Sequence, residues 1–264
     1  MMIEELERKF SETTKLLFGI ELNGIDEHGK WLGRRVPLPY PLYSKVSGKE
    51  VWVNPPLSFR KTVFTTKRVV AMADMEKVNI SPFKPEDFTN ATASVSISDI
   101  SERLIKPVSY FCGDFRYGEY QNVEKCSGAG GGINLYYGED LYLKIKNCAY
   151  SNYTLYSENM FGCHGSPRSK FCIHVYNSVN VTRCFEVDGC INSSDSYFCH
   201  NSESLSNCLF CFNAKSLRYA VGNVEVGPEK FAAVKKVLLG YVAGELRKNK
   251  FCEMDIYNVG CWKK

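Results

Sequence analysis

The sequence predicts a mainly β protein: a parallel β-helix, or β-solenoid, with coils of about 18 residues, a C-terminal capping helix and a small irregular α+β N-terminal region. Two observations predict this fold. Side chains of like character recur about every 18 residues between 141 and 221, and the same stretch has almost no runs of helix formers. Such a repeat suits one coil of a β-solenoid, whereas a helical repeat needs about 34 residues or more.

The first region, residues 1–100, is predicted to hold one helix followed by extended chain. The apolar residues that recur with helical spacing over about 3–18 are Ile3, Leu6, Phe10 and Leu17. Prolines between 37 and 56 favour extended or turn structure, and 62–71 alternates as a strand does. We place the boundary of the region in the Ser/Thr/Asn-rich stretch before residue 101.

The second region, residues 101–226, is predicted to be the solenoid, with regular coils over 141–221. One polar column repeats there at the proposed coil length. It is predicted to form an asparagine ladder from Asn159, Asn177, Asp195 and Asn213. Amides stacked on successive coils can bond to one another along the stack, so the ladder would lock the coils in register.

Cysteine is the most distinctive interior residue of this region. The thiols predicted to pack in the core are Cys163, Cys172, Cys190, Cys199 and Cys208. Cysteine behaves there as a small hydrophobic side chain. The 12 cysteines of the chain are expected to be reduced, because the chain is long and shows no export signal.

The third region, residues 227–264, is predicted to be a helix and tail that cover the last coil. Pro228 suits a first helical position, Arg247 and Lys248 suit the helix end, and apolar residues recur between them with helical spacing. In the tail, Trp262 is the expected anchor.

Composition excludes several classes of protein. The chain is 44% hydrophobic and 23% charged, with 33 basic and 29 acidic residues, a balance too even to indicate a nucleic-acid-binding surface by itself. No apolar stretch reaches the length of about 18 residues that a membrane span needs. The acidic start, MMIEELERKF, differs from a signal peptide. We therefore expect no signal peptide, no membrane contact, and a cytoplasmic or virion-associated location.

The end of the second region resembles a known group of repeat proteins. Cys208 and Cys211 form a Cys-x-x-Cys turn, Leu217, Arg218 and Tyr219 follow it, and a helical segment comes next. This succession resembles the uncharacterised Cys/Asn/Tyr-rich repeat proteins of uncultured bacteria, archaea and large phages. The resemblance covers about half of the chain. It implies the solenoid fold with its closing helix and supplies no activity.

Two sets of residues are candidates for chemistry. Cys208 and Cys211 have metal-ligand spacing and Cys199 and His200 lie near them in sequence, yet a zinc site usually has a second matched pair. Packed core thiols are the favoured interpretation, and no metal or other cofactor is predicted.

The second set is a pair of acids. Asp140 and Glu158 are separated by the proposed coil length and are predicted to be neighbours, as the two carboxyls of a glycosidase are. Stacked acids also describe a solvated surface, so no catalytic residue is assigned.

These observations favour a non-enzymatic structural or interaction scaffold: a rigid β-solenoid that docks to a larger assembly, such as a virion or a cell-associated complex. Its partner would be another protein or a second copy of the chain. Two alternatives stay open, namely a carbohydrate-binding or carbohydrate-active β-helix enzyme and a zinc-stabilised adaptor.

Overall fold

The computed structural model describes residues 2–53, 67–78 and 96–261. The α-helices in these ranges are α1 (Met2–Phe18), α2 (Gly29–Leu32), α3 (Met75–Val78), α4 (Ile97–Ile100) and α5 (Pro228–Asn249). Short 3₁₀ or π turns lie at Ile25–His28, Met72–Asp74, Ser101–Ile105 and Val259–Cys261.

The strands before the regular coils are β1 (Tyr40–Tyr43), β2 (Glu50–Val53), β3 (Val69–Val70), β4 (Phe111–Cys112), β5 (Phe115–Tyr117), β6 (Gln121–Glu124), β7 (Gly128–Tyr136) and β8 (Glu139–Ala149). The later strands are β9 (Asn152–Leu155), β10 (Glu158–Phe161), β11 (Lys170–Tyr176), β12 (Phe185–Asp188), β13 (Tyr197–His200), β14 (Ser206–Leu209), β15 (Arg218–Val221) and β16 (Val224–Glu225).

The strands from β5 to β15 wind into a β-solenoid of about nine turns, which confirms the predicted fold class. The predicted coil length is wrong. From β10 to β15 each strand pairs in parallel with the next at a separation of 12 residues: Glu158 lies beside Lys170, and Phe185 lies beside Tyr197. In the first coils some pairs are 13 residues apart, as Tyr117 and Gly130 are.

The backbone explains both the true coil length and the misleading period. Every third residue from Asn147 to Gly222 has a positive φ. Each such left-handed residue turns the chain, so a coil has four straight sides of three residues. Any spacing divisible by three therefore preserves the inward or outward direction of a side chain. Only a full coil returns to the same side, and the spacing taken from the sequence is one and a half coils.

One residue in three points into the solenoid, and these side chains form a narrow core. The fully buried cysteines of that core are Cys126, Cys148, Cys163, Cys172, Cys184, Cys190, Cys199, Cys208 and Cys211. Serines occupy other inward positions, and their hydroxyls donate to backbone carbonyls: Ser166 Oγ donates to the Val175 carbonyl over 2.8 Å. Small side chains are needed because four of them meet inside every coil, with the next coil about 4.8 Å away.

The four sides differ in the character of their outward-pointing residues. We number the sides 1 to 4 and name below the outward residues that recur on each side from coil to coil. Side 1 comprises Phe161, Ile173, Phe185, Tyr197 and Leu209. Side 2 comprises Asn152, His164, Tyr176, Asp188 and His200. Side 3 comprises Leu155, Pro167, Val179, Ile191 and Glu203. Side 4 comprises Glu158, Lys170, Thr182, Ser194 and Ser206.

Side 1 is apolar and lies under two helices. The helix α1, predicted over about 3–18, packs Phe10 against Phe161 with ring centroids 5.3 Å apart and Phe18 against Phe185 at 4.8 Å. The C-terminal helix is present as α5. Its Lys235 lies 4.4 Å above the Tyr197 ring. It therefore runs back along side 1 and covers the flank of the last coils rather than the final edge.

Both ends of the solenoid are closed by other structure. At the first end, β1 and β2 form an antiparallel pair, β3 pairs with β4, and the Asp114 amide donates to the Trp52 carbonyl over 2.7 Å. At the last end, β16 folds back on β15 as an antiparallel strand. The predicted strand at 62–71 is described only from residue 67, and Trp262 lies outside the described residues.

Candidate functional site

Amide ladders run along the corners of the solenoid, but their members differ from the prediction. In the first coils the Asn122 side chain donates to Asn134, Asn134 donates to Asn147, and Asn147 donates to Asn159, over 2.8–3.0 Å. The ladder proposed from Asn159, Asn177, Asp195 and Asn213 is wrong. Its members are one and a half coils apart and so fall alternately on opposite corners.

The other proposed ladder members have separate partners. Asp195 accepts two bonds from the Arg183 guanidinium, at 2.7 and 2.6 Å. Asn177 donates to Asp188, and Asn213 accepts from Asn201 over 2.8 Å. These polar contacts join coil to coil on the outside of the solenoid and so contribute to its register.

The structure separates the two acids that were predicted to be neighbours. Asp140 lies at a corner and accepts from the Tyr142 hydroxyl over 3.0 Å. Glu158 lies on side 4, between Lys146 and Lys170. The prediction that Asp140 and Glu158 are adjacent is wrong for the same reason as the ladder. A glycosidase pair does not form from these two residues.

The thiols and histidine considered as metal ligands point in different directions. Cys199, Cys208 and Cys211 are buried inside the coils, whereas the neighbouring His200 points outwards and lies 2.9 Å from Asp188. In the described ranges, no three His, Cys, Asp or Glu side chains are grouped to hold a metal.

The thiols of the core differ in pKa. Burial raises the pKa of Cys163 to about 12, so this thiol stays protonated. Metal ligands are thiolates, and a raised pKa disfavours that form. Cys211 differs, because hydrogen bonds from Cys199 and Cys208 lower its pKa to about 3.

A buried group of charges fastens the two chain ends to the solenoid. Arg34 forms an ion pair with Glu186, and Glu186 also lies 2.7 Å from His174 Nδ1. The second carboxylate oxygen of Glu186 accepts from the Ile256 amide over 2.9 Å. Asp255 lies 3.9 Å from Arg34 and also forms an ion pair with Arg35 at 2.6 Å. We call Arg34, His174, Glu186 and Asp255 the latch cluster.

Charge neutralisation determines the protonation states in the latch cluster. Burial acts to lower the pKa of Arg34, but Glu186, Tyr176 and Asp255 together outweigh burial and raise it. Burial lowers the pKa of His174, which Glu186 opposes only in part. His174 is therefore neutral beside a carboxylate whose charge Arg34 balances. Removing one partner of such a buried pair costs about 3–5 kcal/mol, so the cluster is a structural joint.

The clearest candidate for a functional surface is an exposed apolar column along side 3. It begins with Tyr117 and Tyr142 in the first coils and continues through the later ones as Leu155, Pro167, Val179 and Ile191. We call this column the side 3 stripe. Ile191 is 46% exposed and the flanking Tyr156 is 45% exposed, so the described elements leave the column open.

The stripe is flat and regular because the solenoid backbone sets it out. Its residues follow one another by single coils of about 4.8 Å, which makes a column roughly 29 Å long. Gly130 occupies the place between Tyr117 and Tyr142, and an added Cβ would meet the Tyr117 ring at 2.7 Å. Glycine thus lets Tyr117 lie flat. Beyond Ile191 the column becomes polar, with Glu203 and Lys215 paired at 2.9 Å.

Comparison of the chain with protein-family models, curated proteins and solved structures finds no match. The resemblance to the Cys/Asn/Tyr-rich repeat proteins stays a prediction. Among the described helices, none has the length and apolar character to cross a membrane.

Sequence reasoning missed the side 3 stripe although its signal is present. Leu155, Pro167, Val179 and Ile191 recur at the spacing of one coil. The pattern emerges only when the chain is written in lines of the correct length, since any other length mixes the stripe with polar sides.

Proposed function

We propose that the protein is a non-enzymatic binding scaffold that docks a protein partner on the side 3 stripe. One observation carries the proposal: two sides of the solenoid are apolar, and only side 1 is covered by helices of the described chain. Contiguous apolar surface left open on a soluble fold is typical of an interaction site.

The geometry of the stripe favours a protein partner. A solenoid side is held by strand pairing and by the packed interior, so binding orders little additional chain. The half-buried Leu155, Pro167 and Val179 offer a continuous floor, and Ile191 and Tyr156 project from it. Such a row suits an extended or helical segment laid along the solenoid axis. The resemblance to repeat proteins of large phages and uncultured cells supports a virion or cell-associated complex as the larger assembly.

The test is a comparison of two single substitutions in affinity capture. Ile191→Lys places a charge in the stripe, and Ser194→Lys places the same charge on side 4. Proteins recovered with the parent protein and with Ser194→Lys, but lost with Ile191→Lys, would support docking at the stripe. Equal recovery by both variants would contradict it.

Aromatic rings at the start of the stripe favour carbohydrate as a second ligand class. The Tyr117 and Tyr142 rings lie 5.2 Å apart at 33°, and Asp140 beside them accepts from Tyr142. Flat rings with an adjacent carboxylate match the apolar face and hydroxyls of a sugar. Binding on a glycan array that Tyr117→Ala abolishes would support this candidate.

A further inference from the structure

A second open surface lies on the opposite flank of the molecule, between α5 and the end of α1. It is a groove of about 580 Å³. Its apolar floor includes Phe18, Ile20 and Leu239, and Lys235, Lys236 and Arg247 also line it. We propose that this groove binds an amphipathic helix with acidic flanks, carried by a protein partner. The proposal concerns a different surface from the side 3 stripe.

The shape of the groove fits a helix. Its lining residues on α5 run from Phe231 to Arg247 with helical spacing, so they form one face. At about 1.5 Å per residue this face is roughly 24 Å long, the length of about 16 residues of helix. Helix-in-groove docking uses an apolar row of this length.

Two glycines in the groove are unexplained by the fold of the chain itself. A Cβ added to Gly240 or Gly244 would meet no atom within 4 Å. Glycine inside a helix costs about 1 kcal/mol relative to alanine, and no close intramolecular contact requires it here. Missing side chains at these positions let a second helix approach the α5 backbone closely.

The charge of the groove selects the partner. Neither Lys236 nor Arg247 forms an ion pair with a described residue, whereas Lys235 lies over the Tyr197 ring. The whole of α5 has five basic residues against two acidic ones. Acidic side chains flanking an apolar row would meet these cations as the helix docks. A second copy of the chain would bring another basic α5, and like charges would oppose that pairing.

Fluorescence anisotropy of the full-length protein with a labelled peptide tests the proposal. The probe is a helical peptide of about 16 residues with leucine at i, i+3, i+4 and i+7 and glutamate on both flanks. We expect saturable binding with a Kd below about 100 μM. A peptide with lysine in place of glutamate should bind about tenfold more weakly or worse.

Matched variants place the binding in the groove. Lys236→Glu and Gly240→Leu should weaken binding about tenfold, by charge and by volume respectively. Lys248→Glu, an equal charge change outside the groove lining, should leave it unchanged. Ile191→Lys should also leave it unchanged, which separates this inference from the proposed function.

Three outcomes would overturn the inference. They are absence of saturable binding, equal binding of the acidic and basic peptides, and a dimer in light scattering that Gly240→Leu dissociates. The last would assign the groove to a second copy of the chain.

Discussion

The left-handed corner residue is the unit from which this solenoid is built. A residue other than glycine, asparagine or aspartate pays roughly 1–2 kcal/mol for that conformation. Asn159 and Asn213 fit it well, whereas Glu186 and Phe198 do not, although both have positive φ. The latter two are fully buried, and their packing under the covering segments offsets the cost.

An exposed corner with an unsuitable residue should be improvable. Ser204 is exposed with φ 56°. It lies on the same corner as Asn180 and Asn192, one coil after Asn192, and the Asn180 amide donates to the Asn192 amide over 2.7 Å. Ser204→Asn suits the left-handed conformation and extends this ladder by one bond. We expect a gain of about 1 kcal/mol, measured as a rise in Tm of about 2 °C.

The control for that substitution lies one coil side away. Ser206 is a strand residue of side 4, and its backbone has no positive φ. Ser206→Asn should therefore give no gain. An equal response at both positions would mean that corner conformation does not govern stability here.

Buried histidine makes the stability of the latch cluster depend on pH. His174 has a pKa below its ordinary 6.5, so the unfolded chain binds a proton there that the folded protein does not. The free energy of unfolding should therefore decrease as pH falls below 6.5, by up to about 1.4 kcal/mol per pH unit from this residue. Urea unfolding at a series of pH values gives the slope.

The variant His174→Phe separates this histidine from other titrating groups. It keeps a ring next to Trp31, whose centroid lies 4.6 Å away, and removes the proton uptake. Its unfolding free energy should depend less steeply on pH between about 6.5 and 5. An unchanged slope would assign the pH dependence to other residues.

At the scale of elements, the open edge of a solenoid needs protection from edge-to-edge pairing. Asn223 supplies it at the last coil. Its amide side chain accepts from the Phe212 N–H and donates to the Phe212 carbonyl, both over 2.8 Å. The side chain thus replaces one residue of a further strand, and Glu225 accepts the Arg218 N–H in the same way.

Removing that protection should promote self-association. Asn223→Ala leaves the Phe212 backbone groups unpaired at an edge that another chain can extend. We expect concentration-dependent oligomers in sedimentation velocity. Asn249→Ala, which removes an exposed amide bonded to Glu245 at the end of α5, should stay like the parent protein.

Elements with local signals are the ones that the sequence predicts well. Apolar spacing and terminal residues predict both α1 and α5. Leu6 and Leu246 on their apolar faces are buried, as that spacing requires. The pairing of β3 with β4 joins Val69 to Phe111 across a long stretch of chain, and no local pattern indicates it. Tertiary context decides such short strands.

The coil length was the decisive error, and it has a physical cause. A side of three residues imposes its own period on the sequence, so lines of any length divisible by three align inward with inward positions. Cys163 and Cys172 are three sides apart and both buried, although they lie on different sides. Choosing among these lengths requires the outward residues, whose character changes from side to side. The same ambiguity concealed the side 3 stripe and produced the false ladder.

At the scale of the whole molecule, the covering helices make register a condition of folding. Both α1 and α5 need the apolar side 1, so every coil must present that side on the same flank. Residue 201 marks a corner in the later coils. Deleting residues 201–212 removes one full coil and returns Val221 to side 1, which leaves α5 beginning beside α1 as before.

Deletions that are not whole coils should behave differently, whatever their size. Deleting 201–218 moves Val221 to side 3, so α5 would begin on the flank opposite α1. Deleting only 201–206 shifts the later chain by the same half coil. We expect the one-coil deletion to retain a β-type circular dichroism spectrum and one cooperative thermal transition. The deletions of 201–206 and 201–218, which remove half a coil and one and a half coils, should lose both. Because the shortest deletion removes least, its failure beside a folded one-coil deletion would show that side register governs folding. If instead the losses scaled with the number of residues removed, the four-sided coil would not be the folding unit.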